Sequence, residues 1–276
     1  MAEIGKLNSL RVVKEVDFGL YLDGGEHGEI LLPKRYVPEN AKPEDILDVF
    51  IYLDSEDRII ATTETPYIMV GEFACLKAVA VTPMGAFLDW GLMKDLFVPF
   101  REQKLKMEEG KWYIVTVYLD SDSKRLVASA KIEKFLDNLP PDYEAGQEVD
   151  LLIVGETDLG FNAIINNKHL GVIYNNEIFQ PLRKGDRIKG FIKKIREDEK
   201  IDLLLQKAGY GKVDDISMKI VAVLKKHNGF LPVTDKSDPD TIYELFGVSK
   251  KTYKKAVGAL FKFKIIEIED KGIRLK

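Results

Sequence analysis

The sequence predicts a multidomain, mainly β protein in which three tandem five-stranded barrels precede a small α+β domain. Two observations carry that expectation. A set of landmarks recurs at one constant offset along the first half of the 276-residue chain, and the hydrophobic period changes from two to helical near Val213. Domain boundaries follow at residues 1–66, 67–140, 141–212 and 213–276.

The repeat is explicit. Gly19-Leu20-Tyr21-Leu22-Asp23 recurs as Gly85-Ala86-Phe87-Leu88-Asp89, Pro33 and Arg35 recur as Pro99 and Arg101, and Tyr52-Leu53-Asp54-Ser55 recurs as Tyr118-Leu119-Asp120-Ser121. Each pair is 66 positions apart. A diverged third copy starts after Pro140-Pro141, with residues 149–154 as its opening strand and Gly160, residues 171–178 and residues 187–192 as its landmarks. Inside each copy, short β-branched and aromatic runs alternate with turn residues, the pattern of an antiparallel barrel or sandwich. In the second copy Trp112 to Leu119 and Arg125 to Ala130 flank a turn, which makes a hairpin. Gly19, Gly85 and Gly160 fall inside strand patterns, where a missing Cβ marks a bulge, a bend or a close backbone approach. Five strands in roughly 65 residues fit the OB-type barrel.

From Val213 the apolar positions Ile216, Ile220, Val223 and Leu224 form a helical stripe ending near Asn228-Gly229. Asp238-Pro239 supplies a capping carboxylate followed by Pro at the first helical position, with Ile242, Leu245 and Phe246 as the expected buried face. Ser249 caps a third helix from about Lys250 to about Phe263. On it Lys250, Lys251, Lys254 and Lys255 share an arc, and Tyr253, Ala256, Val257, Leu260 and Phe261 occupy the other side. Residues 266–275 then read as a hairpin, so the segment has the order of a winged helix-turn-helix.

Composition narrows the function classes. With 45% hydrophobic and 31% charged residues, the chain reads as a soluble globular protein. It has no apolar run of membrane-spanning length and starts without a signal peptide's apolar core, so a cytoplasmic location and no membrane partner are expected. The single cysteine, Cys75, excludes an internal disulfide framework, and His27, His169 and His227 have no metal-ligand spacing. No metal and no cofactor are expected. Asp54 and Asp120 recur in turns beside Ser55 and Ser121, where turn chemistry explains them. The sequence contains no phosphate-cradling loop, zinc-binding helix or nucleophile elbow, and a non-enzymatic protein is expected. The net charge of -4 hides a gradient: 7 Lys/Arg against 14 Asp/Glu in 1–66, 10 against 11 in 67–143, 11 against 11 in 144–212 and 13 against 9 in 213–276. A polyanion would therefore meet the C-terminal part.

The run Phe18-Gly19-Leu20-Tyr21, its copy Gly85-Ala86-Phe87, and residues 171–178 (Gly-Val-Ile-Tyr-Asn-Asn-Glu-Ile) resemble the S1 RNA-binding domain. That family pairs an aromatic-Gly-x-aromatic strand with a Gly-Leu-Val-His-x-Ser-Glu-Ile-like strand. Its His position is matched to Leu32, Val98 and Tyr174, and its second aromatic to Tyr21 and Phe87, with Phe161 displaced by one in the third copy. Three S1-like OB-fold barrels followed by a winged helix resemble the bacterial conserved virulence factor B (CvfB/YitL-like) family. The resemblance implies RNA-binding regulators rather than enzymes.

Candidate RNA-binding residues are Tyr174 and Phe161 with the basic run Lys189, Lys193, Lys194 and Arg196, together with Lys250, Lys251, Lys254 and Lys255 on the third helix. Phe18, Tyr21, Phe87 and Arg101 are weaker candidates, for whose rings barrel packing is the alternative. Single-stranded RNA is the expected partner, since rings stack on bases that a duplex hides. Duplex DNA read by the winged helix and docking on the ribosome or another ribonucleoprotein are the alternatives. The third barrel and the winged helix are expected to form one composite surface.

Overall fold

The computed structural model describes residues 2–178, 180–205 and 215–276. The expected boundary at 212/213 lies outside the described residues. The first barrel is built from β1 (Leu7–Val16), β2 (Gly19–Asp23), β3 (Glu29–Pro33), β4 (Ile46–Leu53) and β5 (Ile59–Thr62). It closes in the order β1-β2-β3-β5-β4, the seam being a parallel contact of Leu31 with Ile60. The second comprises β6 (Phe73–Thr82), β7 (Gly85–Asp89), β8 (Leu96–Pro99), β9 (Trp112–Leu119) and β10 (Leu126–Ser129) in the order β10-β9-β6-β7-β8. Glu102 closes its seam to β10: the carboxylate accepts from Ser129 Oγ at 2.7 Å and the backbone carbonyl from the Ala130 N–H at 2.9 Å. The third comprises β11 (Glu148–Thr157), β12 (Gly160–Ile165), β13 (His169–Tyr174), β14 (Arg187–Ile195) and β15 (Ile201–Leu204), closed like the first.

The recurring glycine sets the register of each barrel. Gly19, Gly85 and Gly160 have φ of 153°, 156° and 145°. A Cβ there would stand 2.1, 2.4 and 2.0 Å from the carbonyl oxygens of Leu32, Val98 and Ile173. Each opposes the last residue of the next strand, pairing with Pro33, Pro99 and Tyr174 respectively. The β-bulges fall at matching places too, at Val12/Lys14, Ala78/Ala80 and Ile153/Gly155. This register corrects one sequence-based equivalence. Tyr174 corresponds to Pro33 and Pro99, whereas Leu32 and Val98 are fully buried and correspond to Ile173. The pairing of each glycine with the end of the next strand, not the spacing of apolar residues, fixes the equivalent positions.

The barrels are joined by apolar packing. Phe50, Tyr52 and Ile60 of the first enter the core of the second, where the Phe50 and Tyr52 rings meet Trp90 edge-on at 5.7 and 6.4 Å. Lys94 Nζ donates back to the carbonyls of Leu53 and Asp54 at 3.1 and 2.6 Å. Between the second and third, Phe73, Ile114, Ile132 and Leu136 pack on Leu152 and Ile164. There Arg187 donates to the Phe73 carbonyl at 2.6 Å, and the buried His169 ring bridges the Tyr143 hydroxyl and the Leu139 carbonyl.

The C-terminal domain contains α1 (Asp215–Lys226), β16 (Phe230–Leu231), α2 (Pro239–Phe246), α3 (Lys250–Lys262), β17 (Ile266–Glu269) and β18 (Gly272–Leu275). The expected caps are present: Asp238 accepts from the Asp240 N–H and Ser249 from the Thr252 N–H. A third strand, β16, adds to the hairpin through β18. Its core joins Ile216, Ile220, Leu224, Ile242, Phe246, Tyr253, Val257 and Leu260. Two expected core residues lie outside it. Leu245 is 37% and Phe261 53% exposed, because Ile242/Phe246 and Tyr253/Ala256/Val257/Leu260 already complete the i, i+3, i+4 stripes that face the bundle.

Two stability outcomes follow. Replacing Gly160 with Ala places a methyl against the Ile173 carbonyl in a strained backbone conformation, and should destabilise the third barrel by at least about 2 kcal/mol, read by chemical denaturation. Burial pushes the Tyr253 hydroxyl up from 10.0 to about 12. A phenol held neutral in the folded state keeps its stabilisation below pH 10 and loses it as the pH climbs toward 12. Tyr253→Phe should abolish that alkaline loss in thermal melts. At neutral pH it should cost about 1 kcal/mol, the hydrogen bond to the Val233 carbonyl.

Candidate nucleic-acid interface

The outward face of the β12–β13 ladder carries Asn162, Val172 and Tyr174. Directly opposed residues share a face, and Asn162 opposes Val172 while Phe161 opposes the fully buried Ile173. Phe161 accordingly packs against the barrel core. Tyr174 and Phe161 therefore do not form one stacking platform. Tyr174 is half-buried, with the Arg196 guanidinium 5.6 Å from its ring centroid and hydrogen-bonded to its hydroxyl.

Every basic side chain expected in this barrel has an acidic partner. Lys189 pairs with Asp150 at 2.7 Å and Lys193 with Glu177 at 2.6 Å. Lys194 and Arg196 share the buried Asp202, at 3.8 and 2.9 Å. The neighbouring Glu197, Asp198 and Glu199 take no part in these four pairs; the partners come from other strands and the turn after β13. Asp202 lies on β15, next to β14 in the barrel, and draws together Lys194 and Arg196, the second of which also meets Tyr174.

The winged helix differs. Lys250 Nζ donates to the Lys236 carbonyl at 3.2 Å and Lys254 approaches Asp235 at 3.5 Å. Lys251 and Lys255 are exposed, and among the described residues no carboxylate pairs with either. One turn further along that stripe is Gly258, whose Cβ position is open, so a backbone phosphate can approach α3 closely. Exposed Phe261 lies beyond it.

The residues that follow α3 reach the third barrel. A cleft of about 500 Å³ lies between the two domains, walled by Phe161, Ile178 and Leu182 on the barrel side and by Phe263 and Ile265 on the other. Lys225, Lys264 and Lys276 also line it, and among the described residues no carboxylate side chain does. Sequence reasoning missed these three lysines because they are separated in the chain and meet only when α1, the end of α3 and β18 come together. The third barrel and the winged helix thus meet around the end of α3, not around its lysine-rich first turns.

In the first barrel Phe18 is 56% exposed and meets Tyr21 edge-on at 6.2 Å, with Lys14 Nζ 4.8 Å from the tyrosine ring. In the second, Phe87 pairs with Phe97 at 5.2 Å, and Arg101 is held by Asp120 at 2.6 Å. Asp54 and Asp120 accept backbone N–H bonds of their own turns, from Glu56 and Asp122. Among the described residues no cluster of three or more metal-ligating side chains occurs, and no helix is long and apolar enough to cross a membrane.

Comparison with known proteins agrees with this architecture. The S1 domain model matches residues 4–64 and 70–131, and the CvfB-like winged helix domain model matches residues 218–275. The YitL protein of Bacillus subtilis is 28% identical over 267 residues, covering 94% of this chain and 89% of that protein. Conserved virulence factor B of Staphylococcus epidermidis is 26% identical over 284 residues, covering 99% and 94%. A solved multidomain protein with nucleic acid binding domains from Streptococcus pneumoniae aligns over 99% of this chain and 98% of its own at 22% identity, with a TM-score of 0.43. S1 and winged-helix domains are nucleic-acid-binding modules, and the domain content supports a nucleic-acid-binding role.

Asp202 neutralises Lys194 and Arg196. Asp202→Asn should release Lys194 and Arg196 and steepen the salt dependence of nucleic-acid binding by up to about 1.4 in log–log slope, about 0.7 for each added single-strand contact. Affinity measured from low to moderate salt reads the change.

Proposed function

We propose that this chain, a member of the CvfB/YitL-like family of S1 and winged-helix proteins, is a non-enzymatic protein that binds single-stranded RNA through its third barrel and winged helix and acts as a post-transcriptional regulator. The observation that carries the proposal is the path along α3. It runs from Lys251 and Lys255, whose charges no carboxylate offsets among the described residues, to a cleft lined by Phe161, Lys225 and Lys264 and, among the described residues, by no carboxylate side chain. Cations spaced along a helix hold phosphates, and an apolar, ring-bearing cleft at its end takes unstacked bases. Tyr174, Lys189, Lys193, Lys194 and Arg196 form a second, adjustable bank: their charges are balanced at rest and exchange carboxylate partners for phosphates at a cost in affinity.

A strand with free bases fits this arrangement better than a duplex. Base readout in a major groove favours Arg, Asn and Gln, whereas the outward positions of α3 hold Lys251, Thr252, Lys255 and Gly258. Location in the cytoplasm follows from an RNA target. Docking on a ribosome or another ribonucleoprotein is compatible with the acidic first barrel and would use surfaces other than α3.

The test is binding of the intact protein to single-stranded RNA, single-stranded DNA and duplex DNA across a salt series. Single-stranded RNA should bind most tightly. Lys251→Ala combined with Lys255→Ala should weaken it and flatten the salt slope by about 1.4. Tighter binding to duplex DNA, or an unchanged slope, would overturn the proposal.

A further inference from the structure

The outer face of the β1–β4 ladder in the first barrel is open to solvent, although the repeat marks it as a docking face. Leu7, Ser9 and Arg11 oppose Phe50, Asp48 and Ile46 there. In the second barrel the residues 66 positions further on, Phe73, Cys75 and Lys77, oppose Thr116, Ile114 and Trp112. The register is the same pair for pair, yet the third barrel covers the second copy of this face. Phe73 and Ile114 are buried against Leu152 and Ile164, and Arg187 and Lys184 donate to the carbonyls of Phe73 and Trp112. In the first barrel Leu7 remains 48% and Ile46 71% exposed.

The charge around these two apolar side chains decides what can cover them. Asp48 accepts from Ser9 Oγ at 2.5 Å, and Glu44 and Asp23 share the one guanidinium of Arg11 at 3.1 and 3.3 Å. Three carboxylates thus surround one cation, in a barrel with 7 Lys/Arg against 14 Asp/Glu. Such a face repels a polyanion and attracts a surface that is cationic and apolar together. The chain carries that surface at its other end. On α3, Lys251 and Lys255 have no carboxylate partner among the described residues, Gly258 leaves the helix backbone open, and the Phe261 ring nearby is 53% exposed.

We infer that this chain associates head to tail with a second copy of itself: the β1–β4 face of one molecule docks on α3 of the other. Leu7 and Ile46 meet Phe261, and Glu44 and Asp48 stand opposite Lys251 and Lys255. Gly258 lets the helix lie close on the strands. The contact is heterologous, and two copies satisfy it reciprocally. It needs only the charge and exposure of α3. Where α3 also holds RNA, as in the proposed function, RNA and the first barrel compete for the same lysines, so that association covers the helix that captures the strand.

The test is sedimentation equilibrium of the full-length chain, freed of nucleic acid, across a concentration series at low and moderate salt. The mass should rise with concentration from one chain toward two, and less steeply as salt screens the charges. Ile46→Ser, which leaves every charge in place, should weaken association at least about fivefold. Glu44→Lys with Asp48→Lys should leave the chain monomeric, as should Lys251→Glu with Lys255→Glu, each keeping the wild-type circular dichroism. An equimolar mixture of these two double variants should associate again, because each reversed face then meets a reversed partner. Single-stranded RNA added to the unaltered chain should dissolve the pair. If no RNA binds and the mixture still associates, the proposed function fails and this inference stands. A chain that is monomeric at every concentration leaves the face to a different basic protein and overturns the inference. So does association that both reversals leave unchanged, a mixture that stays monomeric, or RNA that binds without dissolving the pair.

Discussion

The contact on which the architecture depends is the approach of a backbone carbonyl to a glycine at the start of the second strand of each barrel. At Gly19, Gly85 and Gly160 the carbonyl of the facing strand occupies the space where a Cβ would stand. That contact fixes the register of the second and third strands, and a one-residue slip would exchange the inner and outer faces. Because the register is the same three times, Pro33, Pro99 and Tyr174 fall at one structural position. Two barrels hold a ring there that cannot stack as an aromatic, and the third holds a tyrosine backed by an arginine.

Fusion of the barrels changes what their faces can do. An isolated small barrel would expose Phe50 and Tyr52, yet here they complete the core around Trp90. The same junction makes the outer face of the second barrel one wall of a cleft shared with the first. The cleft between the third barrel and the winged helix is likewise shared by two domains, but lysines line it and, among the described residues, no carboxylate side chain does.

The fold was largely legible because its signals are local: the 66-residue offset, the glycine spacing, the Asp238-Pro239 and Ser249 caps and the change of period each act within a few residues. The candidate site was legible only in part. Lys189, Lys193, Lys194 and Arg196 read as a cationic run in one dimension, but Asp150, Glu177 and Asp202 reach them from elsewhere in the barrel. Phe161 and Tyr174 looked like partners by order, and the pleat separates them. Lys225, Lys264 and Lys276 gave no run at all. Sequence counts charges; pairing is decided in three dimensions.

That distinction also decides which half of the proposed surface sets affinity and which sets selectivity. An unpaired lysine such as Lys255 contributes counterion release as soon as a phosphate arrives, with no partner to lose. An arginine bound to Asp202 must first give up a charge-assisted bond beside a buried carboxylate, so its exchange is favourable only when a ligand also satisfies Tyr174 and the surrounding strand. On the proposed function, the winged helix captures any flexible polyanion and the third barrel discriminates among those captured. In this division of labour the weakly basic average of the C-terminal half is an advantage. A barrel as bare as α3 would hold every polyanion equally well and choose among none.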